Sequence, residues 1–258
     1  MEDVAYDKFI AEIYDDSPCF GKARSSEPDK FNGFYLRELS KPQTILEFGS
    51  GTGPLTIPLA RMGHKIDSVD ISNHMHNVIK KKLKEEPENV RQNINLIEAD
   101  ALTFSKPEKY QSLVMPEGII IALPDATQQV KLLQSCNRNL VVGGRIYFDF
   151  FQPNYKVIYN KTVTEHTRFR TKSGVLYILS ITYENEEYSQ IQGWYMTYTR
   201  IVHGIEEEKI KVFLQFRYIF YSELLLLLEK CGFQPIDIDI TYADRRGFSV
   251  IAEKTKEL

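Results

Sequence analysis

Hydrophobic and polar positions divide the chain into two regions with different periods. From residue 44 to about 151, short apolar runs alternate with amphipathic segments of helical length, which is typical of a parallel sheet with crossover helices. The pattern predicts strands at Thr44–Phe48, Lys65–Asp70, Asn93–Glu98, Ser112–Met115 and Arg145–Phe151. It predicts helices near Pro54–Met62, Asn73–Glu86 and Asp125–Asn139. The first region is therefore expected to form a doubly wound α/β sheet.

The second region has the period of antiparallel strands. Between Thr162 and Arg217, β-branched and aromatic residues alternate with polar ones and are interrupted by turn-rich or charged breaks, which predicts a sheet of about four strands. Helical spacing returns over Tyr221–Cys231, and two last strands are predicted at Pro235–Ile240 and Gly247–Glu253. The chain is thus expected to insert a small antiparallel cap and then complete a mostly parallel seven-stranded sheet.

Two helices are predicted before the first strand, at Tyr6–Tyr14 and Asp29–Leu39, joined by a loop over Asp15–Pro28. We interpret them as an N-terminal helical lid. The predicted division is then residues 1–40 for the lid, 41–152 and 221–258 for the core, and 153–220 for the cap.

Composition narrows the function classes. A formal net charge of −3 over 258 residues gives no general electrostatic reason to expect nucleic acid as a partner. The three cysteines are far apart, predict neither a disulfide framework nor a metal site, and fit a reducing compartment. The N-terminus lacks the pattern of a secretory signal, and no apolar run approaches the ~20 residues of a membrane helix. We expect a soluble, cytoplasmic protein without a membrane partner.

The segment most indicative of function is the glycine-rich turn that follows the first strand. Glycine at 49, 51 and 53 permits backbone angles closed to other residues and removes side chains between the backbone and a ligand. Counting from Gly49, the last glycine of a dinucleotide fingerprint is replaced by Pro54, and no Gly-Lys-Ser/Thr sequence follows as in a phosphate-binding loop. The turn predicts a nucleoside site of another kind.

An acidic residue, Glu47, precedes the alternating glycines, and here the chain resembles the class I S-adenosylmethionine-dependent methyltransferases. The resemblance runs from about residue 11 to 253 and implies S-adenosylmethionine as cofactor. Asp70 matches the family's second-strand carboxylate, which binds both ribose hydroxyls, and Asp100 matches the third-strand acid near the adenine amino group. The cofactor-binding residues that the resemblance implies are Tyr14, Glu47, Gly49, Ser50, Gly51, Gly53, Asp70, Ile71, Met75, Asp100, Ala101 and Leu102.

The acceptor side is described by fewer residues. The segment ending in Tyr14-Asp15 resembles the lid of small-molecule methyltransferases, and the cap lies where glycine, sarcosine and amino-sugar N-methyltransferases carry extra strands. The resemblance implies a small-molecule acceptor, with nitrogen favoured over oxygen. Catalytic candidates are Glu117 as a general base and Tyr14 as an orienting hydroxyl. His166 and His203 are further base candidates that we expect to be exposed.

Aromatic residues of the cap provide candidates for acceptor binding. Trp194 and Tyr198 share one predicted strand face, and with Arg217 they are predicted to bind substrate. Ordinary packing in the sheet, or a homodimer surface, would also account for aromatic residues at these positions.

Two alternatives to the methyltransferase prediction remain open. Gln111 stands where the family usually has aspartate, which is compatible with a catalytically inactive cofactor-binding partner protein. A nucleic-acid methyltransferase is disfavoured, because the loop after the fourth strand reads Met-Pro-Glu-Gly instead of Asp/Asn-Pro-Pro-Tyr/Phe.

Overall fold

A computed structural model describes residues 8–20, 28–152, 155–242 and 247–258. The first elements are α1 (Lys8–Ile13), α2 (Pro28–Glu38), β1 (Thr44–Phe48), α3 (Thr56–Arg61), β2 (Lys65–Asp70), α4 (Asn73–Leu83), α5 (Glu88–Arg91), β3 (Ile94–Glu98), β4 (Tyr110–Met115), α6 (Ala126–Asn139) and β5 (Leu140–Phe151). They are followed by α7 (Tyr155–Asn160), β6 (Thr162–Arg170), β7 (Leu176–Glu186), β8 (Ile191–Val202), β9 (Ile205–Arg217), α8 (Tyr221–Lys230), β10 (Phe233–Asp239) and β11 (Gly247–Lys254).

The larger sheet has seven strands in the order β10-β11-β5-β4-β1-β2-β3. Strands β1 to β5 pair in parallel, whereas β11 runs antiparallel to both β5 and β10. Parallel neighbours need crossover connections, and helices between the strands provide them. The predicted doubly wound, mostly parallel seven-stranded sheet is confirmed.

Strand β1 lies between two hydrophobic clusters, which explains its nearly continuous apolar sequence. All four residues of Ile45–Phe48 are buried. Ile45 packs in one cluster with Tyr35 of α2, and Leu46 and Phe48 pack in the other. The carboxyl end of β1, where the glycine turn begins, is therefore anchored on both faces of the sheet.

The cap is a separate four-stranded antiparallel sheet in the order β6-β7-β8-β9. One of its faces is buried and contributes Leu179, Ile181, Met196, Tyr198 and Leu214 to the cluster that also contains Leu46. Ile10 and Ile13 of α1 belong to the same cluster. The predicted four-strand cap is confirmed, and its buried face packs with the first helix of the chain.

Several element boundaries differ from the sequence prediction. β5 begins at Leu140 instead of Arg145, because the Gly143–Gly144 pair lies inside the strand, where a register shift in the β4–β5 pairing accommodates it. The short helices α5 and α7 were not predicted, since four and six residues are too few to reveal a helical period.

Some predictions on the N-terminal segments lie outside the described residues. These are the start of the first helix at Tyr6 and the loop residues 21–27. The three-part division into lid, core and cap stays a prediction. Among the helices of the described residues, none has both the length and the apolar composition that spanning a bilayer requires.

Candidate functional site

The glycine turn brings bare backbone to the surface of a cavity. Gly49, Gly51 and Gly53 have φ values of 72°, 52° and 81°, a region that favours glycine. The Gly49 N–H donates a hydrogen bond to the Val69 carbonyl of the neighbouring strand at 2.8 Å. A Cβ atom at position 49 would stand 2.0 Å from Cδ1 of Ile119. Glycine is therefore favoured at 49 by its backbone conformation, and any larger residue would also displace the Ile119 side chain.

A cavity of about 240 Å³ opens at the carboxyl ends of the parallel strands. Its lining residues are Tyr14, Gly49, Ser50, Gly51, Pro54, Val69, Asp70, Ile71, Met75, Ala99, Asp100, Ala101, Glu117, Ile119, Ala122, Leu123 and Phe216. Since β1 lies between β2 and β4, the cavity extends from Asp70 at the end of β2 across the glycine turn to Glu117 after β4. A crevice at this edge of an open α/β sheet is where ligands bind.

Asp70 closes the β2 side of the glycine turn. Its Oδ2 accepts a hydrogen bond from the Gly51 N–H at 2.8 Å, and its Oδ1 accepts one from the Ser72 N–H at 2.8 Å. Each carboxylate oxygen has two lone-pair sites, so both oxygens retain capacity for a ligand hydroxyl. The carboxylate is held in the cavity wall in a fixed orientation.

The β3 side of the cavity combines one carboxylate with apolar side chains. Asp100 and Ala101 line it, and Asp100 Oδ1 is held by the Leu102 N–H at 2.9 Å. Leu102 itself is not among the described lining residues. Met75 is 2% exposed and reaches the cavity from the first turn of α4, whose N-cap is Ser72. This end has the apolar character and the polar acceptor that an adenine ring requires.

Glu47 lies behind the turn instead of in the cavity wall. It is fully buried, and its Oε2 accepts hydrogen bonds from the hydroxyls of Thr56 at 2.6 Å and Ser68 at 3.2 Å. No described residue donates a hydrogen bond to its Oε1. Burial raises the pKa of Glu47 to about 7. The side chain braces β1, α3 and β2 directly below the glycine turn.

Two other predicted cofactor residues belong to the turn. Ser50 lines the cavity, and its buried Oγ is 3.3 Å from Nε2 of His76. Gly53 is not among the described lining residues; its N–H donates to the Ser50 carbonyl at 2.9 Å and closes the turn. Burial lowers the pKa of His76.

The two catalytic candidates meet at the other end of the cavity, although they are separated by 103 positions in the sequence. The Tyr14 hydroxyl donates a hydrogen bond to Oε2 of Glu117 at 2.7 Å. The Tyr14 ring stacks on Phe20 with centroids 4.9 Å apart. A carboxylate that accepts a hydrogen bond from a hydroxyl group is held in one orientation, from which it can bind a proton donor.

The segment after α1 is attached to both the core and the cap. Asp15 accepts a hydrogen bond from Thr52 Oγ1 at 2.7 Å and forms an ion pair with Lys82 Nζ at 2.6 Å. Lys82 also donates to the Thr52 carbonyl at 2.8 Å. Asp16 accepts a hydrogen bond from the Lys172 N–H of the β6–β7 turn at 2.9 Å. Tyr14 is thus presented by a segment that is anchored next to the glycine turn.

The predicted substrate residues of the cap are not among the described residues that line the cavity. Trp194 packs against Phe216 with ring centroids 4.8 Å apart, and Tyr198 is fully buried. Arg217 is 9% exposed; it binds Glu223 at 2.7 Å and Gln129 at 2.7 Å. In the structure these three residues make packing and network contacts, and their role in substrate binding stays a prediction.

Other residues that line the cavity were missed by the sequence analysis. They include Ile119, Ala122, Leu123 and Phe216. Phe216 directly precedes Arg217, and the alternation of side chains along β9 was the signal that could have selected it. The apolar run after Gly118 was the corresponding signal for the other three.

The remaining candidates are distant from this chemistry. His166 and His203 are exposed, as expected from the sequence. Gln111 is exposed near the amino end of β4, whereas the cavity lies beyond the carboxyl end of that strand. In the described part of the chain, no group of three or more His, Cys, Asp or Glu side chains is arranged to hold a metal ion.

Comparisons with known proteins agree with this site. Residues 45–144 match a family described as a methyltransferase domain. An rRNA adenine N-6-methyltransferase from Streptococcus sanguinis is 35% identical over 71 residues, covering 28% of this chain and 27% of that protein. Ribosomal RNA small subunit methyltransferase A from Wigglesworthia glossinidia brevipalpis is 24% identical over 192 residues, covering 74% and 55%. The match thus spans only about a quarter to a half of these curated relatives.

Solved structures match nearly the whole chain. An S-adenosylmethionine-dependent methyltransferase from Clostridium acetobutylicum has a TM-score of 0.74 at 16% identity and covers 97% of this chain and 99% of its own. The sugar N-methyltransferase KedS8 from a Streptoalloteichus species has a TM-score of 0.69 at 15% identity, with coverage of 92% and 90%. These matches confirm the predicted class I fold. The domain match agrees with the predicted enzyme class. The Clostridium acetobutylicum neighbour is named as dependent on S-adenosylmethionine, which is the predicted cofactor.

Proposed function

We propose that this chain, which contains a methyltransferase domain and has the class I fold, transfers a methyl group from S-adenosylmethionine to a nitrogen atom of a small molecule. The observation that carries the proposal is the cavity that joins a nucleoside-type site around Asp70 to the Tyr14–Glu117 pair. The two ends lie on opposite sides of the glycine turn, so donor and acceptor would meet above it.

The residues present fit the cofactor. Asp70 would bind the ribose hydroxyls, because its fixed carboxylate retains acceptor sites on both oxygens. Asp100, Ala101 and Met75 would hold the adenine, and the backbone at Gly49 and Gly51 would contact the methionyl part. When bound, S-adenosylmethionine supplies a methyl group on a positively charged sulfur.

Glu117 and Tyr14 would act on the acceptor. An acceptor amine needs a free lone pair to take up the methyl group that the cofactor would supply, so one proton has to leave its nitrogen. The Glu117 carboxylate would attract the amine and receive that proton, and the Tyr14 hydroxyl would orient the carboxylate through their 2.7 Å hydrogen bond. The apolar side chains of Ile119, Leu123 and Phe216 would enclose the rest of the acceptor and exclude water.

Nitrogen is favoured by the site and by the neighbours. A carboxylate is complementary to an ammonium group, and structural neighbours include a sugar N-methyltransferase. RNA methylation is a second candidate, because the curated relatives include rRNA methyltransferases. The net charge of −3 and the exposed acidic run Glu206–Glu208 on the cap give little support to a polyanionic substrate. A cofactor-binding protein without catalysis is less supported, because Gln111 lies away from the cavity.

The test is methyl transfer from labelled S-adenosylmethionine to fractionated small molecules, RNA and protein, followed by a defined amine panel. We expect label in a small amine. The Glu117→Gln variant should lower kcat by about 100-fold, because it removes the proton acceptor, and should leave the dissociation constant of the cofactor within about twofold. Glu108→Gln is the matched control, because Glu108 is an exposed glutamate that also has a positive φ of 49°.

Label in RNA alone would overturn the small-molecule proposal. Tight cofactor binding with no transfer to any fraction would favour the non-catalytic protein. An unchanged kcat in Glu117→Gln would show that Glu117 has no catalytic role, but it would not contradict the proposed cofactor site.

A further inference from the structure

The backbone of Glu117 has an unusual conformation for a glutamate. Its φ is 68°, in the left-handed region, and the following Gly118 has φ of 75°. A side chain with a Cβ atom is disfavoured there and remains only when its surroundings hold it in place. Such residues concentrate at functional sites, so the contacts that hold Glu117 are informative.

Asp149 of β5 supplies those contacts. It is 6% exposed, and its Oδ1 accepts a hydrogen bond from the Glu117 N–H at 3.0 Å. The Asp149 carbonyl accepts another from the Gly118 N–H at 3.0 Å. Tyr35 of α2 donates its hydroxyl to the same Oδ1 and lies 3.4 Å from the Met115 carbonyl at the end of β4. Two successive amides of the turn therefore converge on one residue, whose carboxylate is itself held by a buried tyrosine.

We propose that Asp149 is a positioning residue that sets the direction of the Glu117 carboxylate toward Tyr14 and the acceptor. Asp149 is not among the described residues that line the cavity, so it acts through Glu117 and touches neither donor nor acceptor. The proposal rests on the proposed role of Glu117. It adds a residue, on a different strand, that the acceptor chemistry depends on.

The physical reason is the charge and rigidity of the support. A hydrogen bond from an amide to a buried carboxylate is stronger than one to a neutral group, and Asp149 belongs to a strand paired on both sides. With that bond the turn keeps Glu117 left-handed, and its side chain leaves the turn after β4 at the angle that meets the Tyr14 hydroxyl. Without it, the glutamate is free to relax toward ordinary backbone angles, which moves the carboxylate.

A double-mutant cycle tests the proposal. Asp149→Ala should lower kcat about 10- to 100-fold in the wild-type background, since small misplacements of a reacting group have effects of this size. The same change should have little further effect in the Glu117→Gln background. Asp149→Asn keeps an oxygen for the Glu117 amide but loses the charge, so it should restore part of the activity. Calorimetry should give dissociation constants for S-adenosylmethionine within about twofold for all of these variants.

A second readout needs no cofactor and no turnover. Glu117→Gly should melt at a higher temperature than Glu117→Ala, because glycine adopts a left-handed backbone without strain. That gap should shrink when Asp149 is changed to alanine, because the turn is then no longer held left-handed. If Asp149→Ala fails to fold, Tyr35→Phe replaces it. Its kcat loss should be smaller, and it should again be absent in the Glu117→Gln background.

An equal loss of kcat from Asp149→Ala with and without the Glu117 carboxylate would overturn the proposal, as would an unchanged kcat. The proposal would also be contradicted if the difference in melting temperature between Glu117→Gly and Glu117→Ala were the same with and without Asp149→Ala. These outcomes can be distinguished from a failure of the proposed role of Glu117, because in that case Glu117→Gln alone would leave kcat unchanged.

Discussion

Glu47, the glutamate below the glycine turn, is a buried carboxyl group whose ionisation is unfavourable in the folded protein. Glu47 is fully buried, receives hydroxyl hydrogen bonds from Thr56 and Ser68 on one oxygen only, and has a pKa raised to about 7 by burial. A carboxyl group without a cation beside it in an apolar interior favours its neutral form. The ionisation of Glu47 is therefore linked to the stability of the strand ends that form the site.

The linkage predicts a pH-dependent stability in the protein without ligand. Between about pH 4.5 and about pH 7 the folded protein keeps a proton that the unfolded chain loses. The stabilising contribution of protonated Glu47 is thus fully present below that range and is lost as the pH rises through 7. Glu47→Gln does not titrate and keeps an acceptor for Thr56. As the pH rises through this range, the free energy of unfolding of Glu47→Gln should increase relative to that of the wild type by up to roughly 3 kcal/mol.

Urea unfolding of both proteins at several pH values between about 5 and 8 measures this difference. A difference that stays constant across the range would show that Glu47 ionises as freely in the fold as in the unfolded chain.

Single residues also show what the sequence could predict at this scale. Asp70, Asp100, Tyr14 and Glu117 were selected from strand ends and motifs, and all four line the cavity. Asp149 was missed, because nothing in the sequence near it points to a turn 32 residues away. A buried acid on a regular strand acquires its partners from the order of strands in the sheet, which the local pattern does not encode.

At the scale of elements, the segment that follows α1 is held by an ion-pair cluster. Asp15, Thr52 and Lys82 bind one another across three parts of the chain: the segment after α1, the glycine turn and α4. The Asp15 and Lys82 side chains are 30% and 33% exposed, so water and salt screen the pair only in part. The cluster couples the position of Tyr14 to the backbone proposed to bind the cofactor.

Lys82→Met should therefore weaken binding of S-adenosylmethionine by about fivefold, corresponding to about 1 kcal/mol, as expected for a partly exposed ion pair. The wild-type advantage should decrease as salt is raised, because screening weakens the same pair. Lys81→Met, an exposed position on the same helix, is the control and should bind like the wild type. Equal affinities of Lys82→Met and wild type at low salt would show that the cluster does not support the site.

The elements themselves were predictable where their pattern was long and regular. All seven strands of the main sheet were identified, with errors of a few residues at their ends, and the cap was predicted only as a sheet of about four strands without bounds for each. The largest error is at the start of β5, because Gly143 and Gly144 lie inside the strand and not before it. Glycine inside a strand at a register shift has the same sequence signature as a helix stop.

At the scale of the whole molecule, the strand order explains why one cavity contains both the proposed cofactor site and the proposed acceptor site. With β1 between β2 and β4, the glycine turn is the centre of the site, Asp70 lies on one side and Glu117 on the other. The cap contributes Phe216 and closes the acceptor end. Its outer face exposes the Tyr195–Phe213 pair, and a homodimer through this sheet stays a prediction.

The claim on which the account depends is that S-adenosylmethionine binds at the ends of β1 and β2, and titration calorimetry measures this directly. The wild type should bind one cofactor per chain. Asp70→Ala should raise the dissociation constant by about 10- to 100-fold, because charge-assisted hydrogen bonds to the cofactor are lost. Asp237→Ala, at an exposed position on β10, should bind like the wild type. Folded wild-type protein that gives no binding heat, or an unchanged dissociation constant in Asp70→Ala, would contradict the account.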